Sequence, residues 1–173
     1  MMHSRRLPGR TFLILALMLG ISACQATTHR PHADLDLFVV RHAQAWSNLP
    51  EADREGRNEA QSDALTPQGI EQAQATAAKL VEQGITVVFH SPRHRTRETA
   101  QIIAKKCDAA CIELDALLPI EAGESPAAAT TRALTALAQR SEAGNWAIVS
   151  HSGLTALVLG EADGTPEDQR LVK

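Results

Sequence analysis

Three apolar runs of this sequence end in histidine, and this feature constrains the fold more than any other. The runs and the residues that close them are 35–40 with Arg41 and His42, 85–89 with His90, and 146–149 with Ser150 and His151. A segment that is apolar at nearly every position is typical of a strand covered on both faces, as in a parallel sheet. The chain therefore places polar, titratable groups where buried strands stop.

Helical patterns separate these strands. The segment 66–84 begins with Thr66 as a cap and Pro67 in its first turn, and Gly84 marks its exit. Further helices are predicted at 98–106, 125–140 and 153–160, with a short strand at 111–114. The side chains expected to point inward are Ile70, Ala73, Ala77, Leu80, Val81, Leu134 and Leu137. This alternation predicts an α/β fold of three layers, with a mostly parallel central sheet and helices on both faces.

Ligands of such sheets bind at the carboxyl ends of the strands. Here that edge receives Arg41, His42 and His151, together with a basic cluster at 93–97. Guanidinium groups match phosphate oxygens bidentately, and a histidine among them can act as base, acid or nucleophile. The formal net charge of −3 shows no basic excess, so nucleic acid is not an expected partner. The pattern favours a phosphorylated substrate.

Four segments carry a resemblance to the histidine phosphatase superfamily, also called phosphoglycerate-mutase-like. "RHAQAWSN" resembles the pattern RHGxTxxN, and "LTPQGIEQA" is similar to LTxxGxxQA. "SPRHRTRETA" resembles SPxxRAxxTA, and "VSHSG" resembles the strand-end VxHxG. The resemblance implies that His42 is a nucleophile that becomes phosphorylated, and that Arg41, Asn48, Arg95 and His151 form the phosphate pocket. Ala43 and Ala45 stand where the pattern has glycine and threonine.

The expected chemistry is hydrolysis of phosphomonoesters or phosphohistidine through a phosphohistidine on His42. A neutral imidazole is a competent nucleophile, and we expect a backbone carbonyl to hold its other nitrogen as a donor. Arg41, Arg95 and a protonated His151 would meet the charge on the phosphoryl oxygens, so we expect neither metal nor cofactor. The alternatives are a phosphoglycerate-mutase-type phosphotransferase, disfavoured by the short connections, and a catalytically silent protein that only binds phosphate. A phosphoprotein and a phosphorylated small molecule both stay open as substrates.

The proton donor for the leaving group is not fixed by the motifs. The resemblance implies an acidic residue after the third strand, where "LLPIEAGES" offers Glu121 and Glu124. Glu121 lies closer to the expected place, and two solvated loop carboxylates are the alternative.

The N-terminus predicts export. Residues 1–23 combine a basic start with an apolar run too short to span a bilayer, which needs roughly 20 residues. "ISAC" resembles the lipobox of bacterial lipoproteins, which implies lipidation of Cys24; an ordinary secretory signal is the alternative. We expect anchoring at the periplasmic face of the outer membrane by lipid alone. Residues 24–34 would be a polar tether and 35–173 the phosphatase domain, lacking a C-terminal edge strand or keeping "RLVK" as its remnant.

Cys107 and Cys111 lie close in sequence, in "KKCDAACIEL". In an oxidising compartment this spacing favours a disulfide that closes a short loop. Two free, buried thiols are the alternative, and the pair lacks the further ligands of a structural zinc.

Overall fold

The computed structural model describes residues 35–158. Four strands form one sheet in the order β1-β4-β2-β3, and every neighbouring pair is parallel. The strands are β1 (Leu37–Arg41), β2 (Ile85–His90), β3 (Ala110–Glu113) and β4 (Asn145–Ser150). The predicted parallel sheet is confirmed.

Five α-helices lie within the described range. They are α1 (Glu59–Ser62), α2 (Pro67–Leu80), α3 (His94–Cys107), α4 (Pro126–Ala138) and α5 (Ser152–Val158). Of these, α2 to α5 pack on the sheet. Thr66 caps α2 by accepting from the backbone N–H of Gly69 at 2.9 Å, and Ser125 caps α4 in the same way. None of the helices in this part of the chain is long and apolar enough to cross a membrane.

Two apolar clusters lie on opposite faces of the sheet. One joins the sheet to α2 and α3 through Val40, Leu80, Val88, Ile103 and Val149. The other joins it to α4 and α5 through Phe89, Leu117, Leu137, Ile148 and Leu154. The predicted three-layer arrangement is therefore present.

The predicted inward faces of two helices are partly wrong. Ile70, Val81 and Leu134 are 41%, 43% and 45% exposed. The buried residues of α2 are instead mostly small, and they are Gly69, Ala73, Thr76, Ala77 and Leu80. The buried residues of α3 are also mostly small and include Thr99 and Ala100, and α2 packs against α3 with the bulky Ile70 left outside.

Several predictions lie outside the described residues. These are the signal segment 1–23 with the tether 24–34, the lipidated Cys24, and the C-terminal "RLVK".

Candidate active site

His42 lies at the carboxyl end of β1, and a hydrogen bond to each of its two ring nitrogens fixes the orientation of the ring. Its Nδ1–H donates to the carbonyl oxygen of Ala43 over 2.8 Å, which is the backbone contact that the chemistry predicts. Its Nε2 accepts from Nε of Arg95 at 3.0 Å, so this nitrogen carries the lone pair. Burial is the largest cause that lowers the pKa of His42 to about 4, and the charges of Arg95 and Arg41 lower it further. The ring is therefore neutral at neutral pH, as a nucleophile must be.

Arg95, in the first turn of α3, connects both histidines. Besides its bond to His42, its Nη2 donates to Nδ1 of His151 at 3.2 Å. Its Nη1 pairs with Asp63. A single guanidinium thus fixes the relative position of the two rings, whose centroids lie 5.3 Å apart.

His151 follows β4 and is held from its other side by a chain of hydroxyl groups. Its Nε2 donates to Oγ of Ser91 at 2.8 Å, and Ser91 in turn bonds to Oγ1 of Thr96 at 2.8 Å. Burial lowers the pKa of His151 to about 3, with the Arg95 charge as the second cause. In the free protein the ring is therefore neutral, and a protonated His151 opposite the phosphoryl oxygens stays a prediction.

Arg41 ends β1 with a half-buried side chain. Its charge is among the causes that lower the pKa of both His42 and His151, after burial and the charge of Arg95. Its guanidinium makes no hydrogen bond or ion pair with any residue in 35–158. It is available to a phosphate at the site.

The "LTPQGIEQA" motif, residues 65–73, holds the loop that follows His42. The carbonyl oxygen of Gln44 accepts from the backbone N–H of Thr66 at 3.0 Å, and Oε1 of Gln72 accepts from the N–H of Gln44 at 3.0 Å. A Cβ at Gly69 would lie only 2.0 Å from the Gln44 carbonyl oxygen. The glycine of this motif is required because α2 begins directly against the loop.

The "SPRHRTRETA" motif, residues 91–100, supports the same loop from α3. Oγ1 of Thr99 accepts from the N–H of Ala43 at 3.1 Å and donates to the carbonyl of Arg95 at 2.7 Å. Ala43 and Ala45 are fully buried, so both methyl groups are accommodated by the core where the pattern has glycine and threonine.

Asn48 has a loop-shaping contact in the structure. Its Oδ1 accepts from the N–H of Ala45 at 2.8 Å and closes the single 3-10 turn Trp46–Asn48, and the residue is exposed. Its role in binding phosphate stays a prediction. His90 is buried at the end of β2, where its Nδ1 bonds to the carbonyl of Ser91 at 2.8 Å, and it has no hydrogen bond to the His42 and His151 pair.

The two candidate proton donors differ in their surroundings. Glu124 receives two hydrogen bonds of 2.8 Å from Arg132, and this contact is the main cause that holds its pKa below the usual range. A carboxylate held this way is a poor acid. The Glu121 carboxylate forms no hydrogen bond with any described residue, and the preceding Ile120 lies 3.4 Å from a Cβ placed at Gly153, two residues after His151.

Asp63 is a site residue that sequence reasoning missed. Besides pairing with Arg95, its Oδ2 accepts from the backbone N–H of His94 at 2.8 Å, so it also caps α3. The one signal in the sequence is an aspartate just before the "LTPQG" motif, and its approach to α3 depends on the tertiary fold.

Cys107 and Cys111 are free thiols, so the predicted disulfide is absent from the structure. Cys107 is half-buried against the cluster between α3 and the sheet, whereas Cys111 is exposed. Desolvation by neighbouring groups raises the pKa of both thiols, which disfavours the thiolate that oxidation requires. In residues 35–158 no cluster of three or more His, Cys, Asp or Glu side chains could hold a metal.

The family follows from this geometry together with a sequence match. Residues 37–125 match the family described as "Histidine phosphatase superfamily (branch 1)", a range that includes Arg41, His42 and Arg95. The chain belongs to the histidine phosphatase superfamily. His151 lies beyond the matched range, and the fold brings it to the same site.

Curated relatives match over a limited part of their length. The probable phosphoglycerate mutase GpmB of Escherichia coli O1:K1 is 40% identical over 74 residues, which are 42% of this chain and 32% of that protein. The match spans about a third of this relative.

Solved structures share the fold at low identity. The mycobacterial glucosyl-3-phosphoglycerate phosphatase superposes with a TM-score of 0.55 at 18% identity, covering 72% of this chain and 78% of the other. The putative phosphohistidine phosphatase SixA from Agrobacterium tumefaciens gives a TM-score of 0.53 at 18% identity, covering 71% and 72%. These likenesses show the superfamily fold.

Proposed function

We propose that the protein is a phosphatase that hydrolyses phosphomonoesters or phosphohistidine through a phosphohistidine intermediate on His42. The observation that carries the proposal is the state of the His42 ring. Its Nδ1–H is fixed on the Ala43 carbonyl, and its Nε2 lone pair faces Arg95 at 3.0 Å. A phosphoryl group held by Arg95 and Arg41 would meet this lone pair directly.

In the first step Nε2 of His42 attacks phosphorus and the bond from phosphorus to the leaving-group oxygen breaks. The Nε–H of Arg95 must leave the lone pair for this attack, and the phosphate oxygens are its new acceptors. The departing alkoxide takes a proton, for which we propose Glu121 as the donor, since Arg132 holds Glu124. In the second step water attacks phosphorus, the N–P bond breaks, and the Glu121 carboxylate takes the proton of the water.

A mutase activity is the second candidate because the curated relative is named a probable phosphoglycerate mutase. The connections between strands are short in this chain, with 43 residues between β1 and β2 and only 31 between β3 and β4. Such connections offer little chain to enclose a bisphosphate against water. We therefore place hydrolysis first.

Phosphoenzyme trapping tests the proposal. After a rapid acid-free quench, the wild-type protein should carry phosphate on His42, and turnover of p-nitrophenyl phosphate should fall by several orders of magnitude in His42→Asn. His90→Asn is the matched control, because this histidine is also buried at a strand end and bonded to the next carbonyl. Near-normal hydrolysis by His42→Asn would contradict the proposal. If the wild type bound inorganic phosphate but hydrolysed no substrate, it would instead be a catalytically silent phosphate-binding protein.

We also propose that the mature protein is exported and anchored by lipid on Cys24, with no membrane-spanning helix. The support is the sequence of residues 1–24 alone. Cys24→Ser should release the protein from the membrane fraction or leave it unprocessed. A wild-type protein that is soluble with an intact leader would contradict this proposal.

A further inference from the structure

Three buried histidines stand at the carboxyl ends of strands, and one of them is bonded differently from the other two. His42 and His90 each donate their Nδ1–H to the carbonyl oxygen of the next residue at 2.8 Å. The Nδ1 of His151 instead lies 3.2 Å from Nη2 of Arg95, and its Nε2 lies 2.8 Å from Oγ of Ser91. Two side chains therefore hold the ring of His151, and the choice of tautomer depends on them.

Arg95 decides which nitrogen of His151 carries the proton. A guanidinium can only donate, so Nδ1 of His151 must supply a lone pair to Nη2. In a neutral ring the other nitrogen then carries the proton, and Nε2–H donates to Ser91. The same reasoning gives His42 the opposite tautomer, because Arg95 donates to its Nε2 at 3.0 Å. The lone pairs of both rings thus face one guanidinium.

Ser91 can act as the acceptor because its own proton is bound elsewhere. A serine hydroxyl can donate as well as accept, so a neighbour must fix its direction. Oγ1 of Thr96 lies 2.8 Å from Oγ of Ser91, and it also lies 2.8 Å and 2.6 Å from the carbonyl oxygens of Ser91 and Arg93. Since carbonyls only accept, the Thr96 proton goes to one of them and the Thr96 oxygen accepts the Ser91 proton. Both hydroxyl residues are fully buried, so bulk water does not compete for these bonds.

We propose that Ser91 is a positioning residue, supported by Thr96, that keeps His151 in the tautomer whose Nδ1 lone pair faces the phosphoryl pocket. The inference rests on the proposed function, in which the bound phosphate draws the Arg95 guanidinium away from the rings. Nδ1 is then free to take a proton from a phosphoryl oxygen, which carries one in part of the molecules near neutral pH because its second pKa is about 6. The O–H bond breaks, the N–H bond forms, and a phosphate dianion lies beside an imidazolium. The opposite tautomer has no lone pair at this place and could not take the proton.

Proton–nitrogen correlation NMR on protein with isotope-labelled histidine reads the tautomer in the free protein. A ring nitrogen that carries a proton and one that carries a lone pair have different chemical shifts, and His151→Asn identifies the signals of this ring. We expect the proton of His151 on Nε2 and that of His42 on Nδ1. A proton on Nδ1 of His151 would overturn the inference. The measurement needs no turnover.

Ser91→Ala removes the acceptor of the Nε2–H bond. The tautomer ratio of His151 should then shift about 3- to 10-fold towards Nδ1–H, as expected for the loss of one hydrogen bond, and kcat/KM for p-nitrophenyl phosphate should fall by a similar factor. Thr96→Val keeps the side-chain shape and frees the Ser91 proton to point at Nε2, so it should shift the ratio in the same direction.

Ser150→Ala is the matched control. This serine is also buried and directly precedes His151, but its hydroxyl donates to the carbonyl of Leu117 at 2.9 Å. The variant loses one buried hydroxyl as Ser91→Ala does, and it should keep both the tautomer ratio and the turnover of the wild type.

An equal shift in Ser91→Ala and Ser150→Ala, or an unchanged ratio in Ser91→Ala and Thr96→Val, would overturn the inference. A shifted ratio with wild-type turnover would also overturn it, because the hydroxyl would then have a structural role only. If Ser91→Ala does not fold, the wild-type tautomer and Thr96→Val still decide. The expected tautomers in a wild type that hydrolyses no phosphomonoester would contradict the proposed function and keep the tautomer assignment. Turnover with the opposite tautomer would contradict this inference alone.

Discussion

For the substitution Gly69→Ala, helix propensity and tertiary contact predict changes of opposite sign in the free energy of unfolding. Gly69 is the third residue of α2, where alanine normally stabilises a helix by up to about 1 kcal/mol relative to glycine. The added Cβ would lie 2.0 Å from the carbonyl oxygen of Gln44. To reach even a short contact of about 3 Å, the start of α2 and the loop that follows His42 must separate by about 1 Å.

That displacement should cost more than the propensity gain. Overpacking of a closely fitted contact typically costs about 1–3 kcal/mol, and here the Gln44 carbonyl also accepts from Thr66 at the helix cap. We therefore expect Gly69→Ala to lower the free energy of unfolding by about 1–2 kcal/mol. A shift of about 1 Å near the nucleophile should lower kcat roughly 100-fold.

Urea unfolding followed by circular dichroism measures the first effect, and p-nitrophenyl phosphate turnover the second. Gly153→Ala is the matched control for stability, because this glycine is also in a helix and its added Cβ would meet only the side-chain tip of Ile120 at 3.4 Å. If Gly69→Ala were as stable and as active as the wild type, the reasoning about the loop would be refuted.

Three further predictions follow from the charges of the site. The folded protein takes up protons at the two site histidines only near pH 4 and pH 3, whereas the unfolded chain does so near pH 6.5, so the free energy of unfolding should fall as the pH drops from about 6.5 towards 4. Urea titrations at several pH values check this, and the slope should shrink when both histidines are replaced by asparagine. Asp63→Asn should lower kcat about 10-fold without raising KM, because Arg95 loses its anchor while the phosphate pocket loses a negative charge; a higher KM with unchanged kcat would contradict a positioning role. Glu121→Gln should slow hydrolysis of a sugar phosphate far more than that of p-nitrophenyl phosphate, since alkoxides need a proton and nitrophenolate leaves almost unaided. Glu124→Gln is its control, and an equal effect of Glu121→Gln on both substrates would limit Glu121 to binding or structure.

The strands and the edge that carries the site could be predicted from local sequence. The apolar runs have the length of strands, and they end at the polar residues Arg41, His42 and His151, where the strands of the structure also end. The rule that parallel strands present their carboxyl ends on one edge then brought these residues together without any knowledge of loop conformations.

Features that depend on how close two elements approach could not be predicted. Hydrophobicity assigns Ile70 to the buried face of α2, but the loop at Gln44 requires Gly69, and the small Ala73 is buried in a cluster that Ile102 of α3 joins. The neutral state of His151 depends on its burial and on the charge of Arg95, which come from separate parts of the chain. Asp63 was missed for the same reason, because its partner lies 32 positions away.

For His42, the proposed nucleophile, the resting geometry leaves no buried acceptor unsatisfied. In the free protein the lone pair on Nε2 of His42 accepts the Nε–H of Arg95, so neither group is left without a partner. A bound phosphate offers the guanidinium stronger, charged acceptors, and Arg95 can turn to them while Asp63 keeps hold of its other end. In the proposed reaction the imidazole nitrogen would then become free once the phosphate is bound. Arg41, which has no partner among the described residues, can bind the phosphate first without breaking any contact. The two arginines would thus act in order, with Arg41 capturing the anion and Arg95 releasing the nucleophile to attack it.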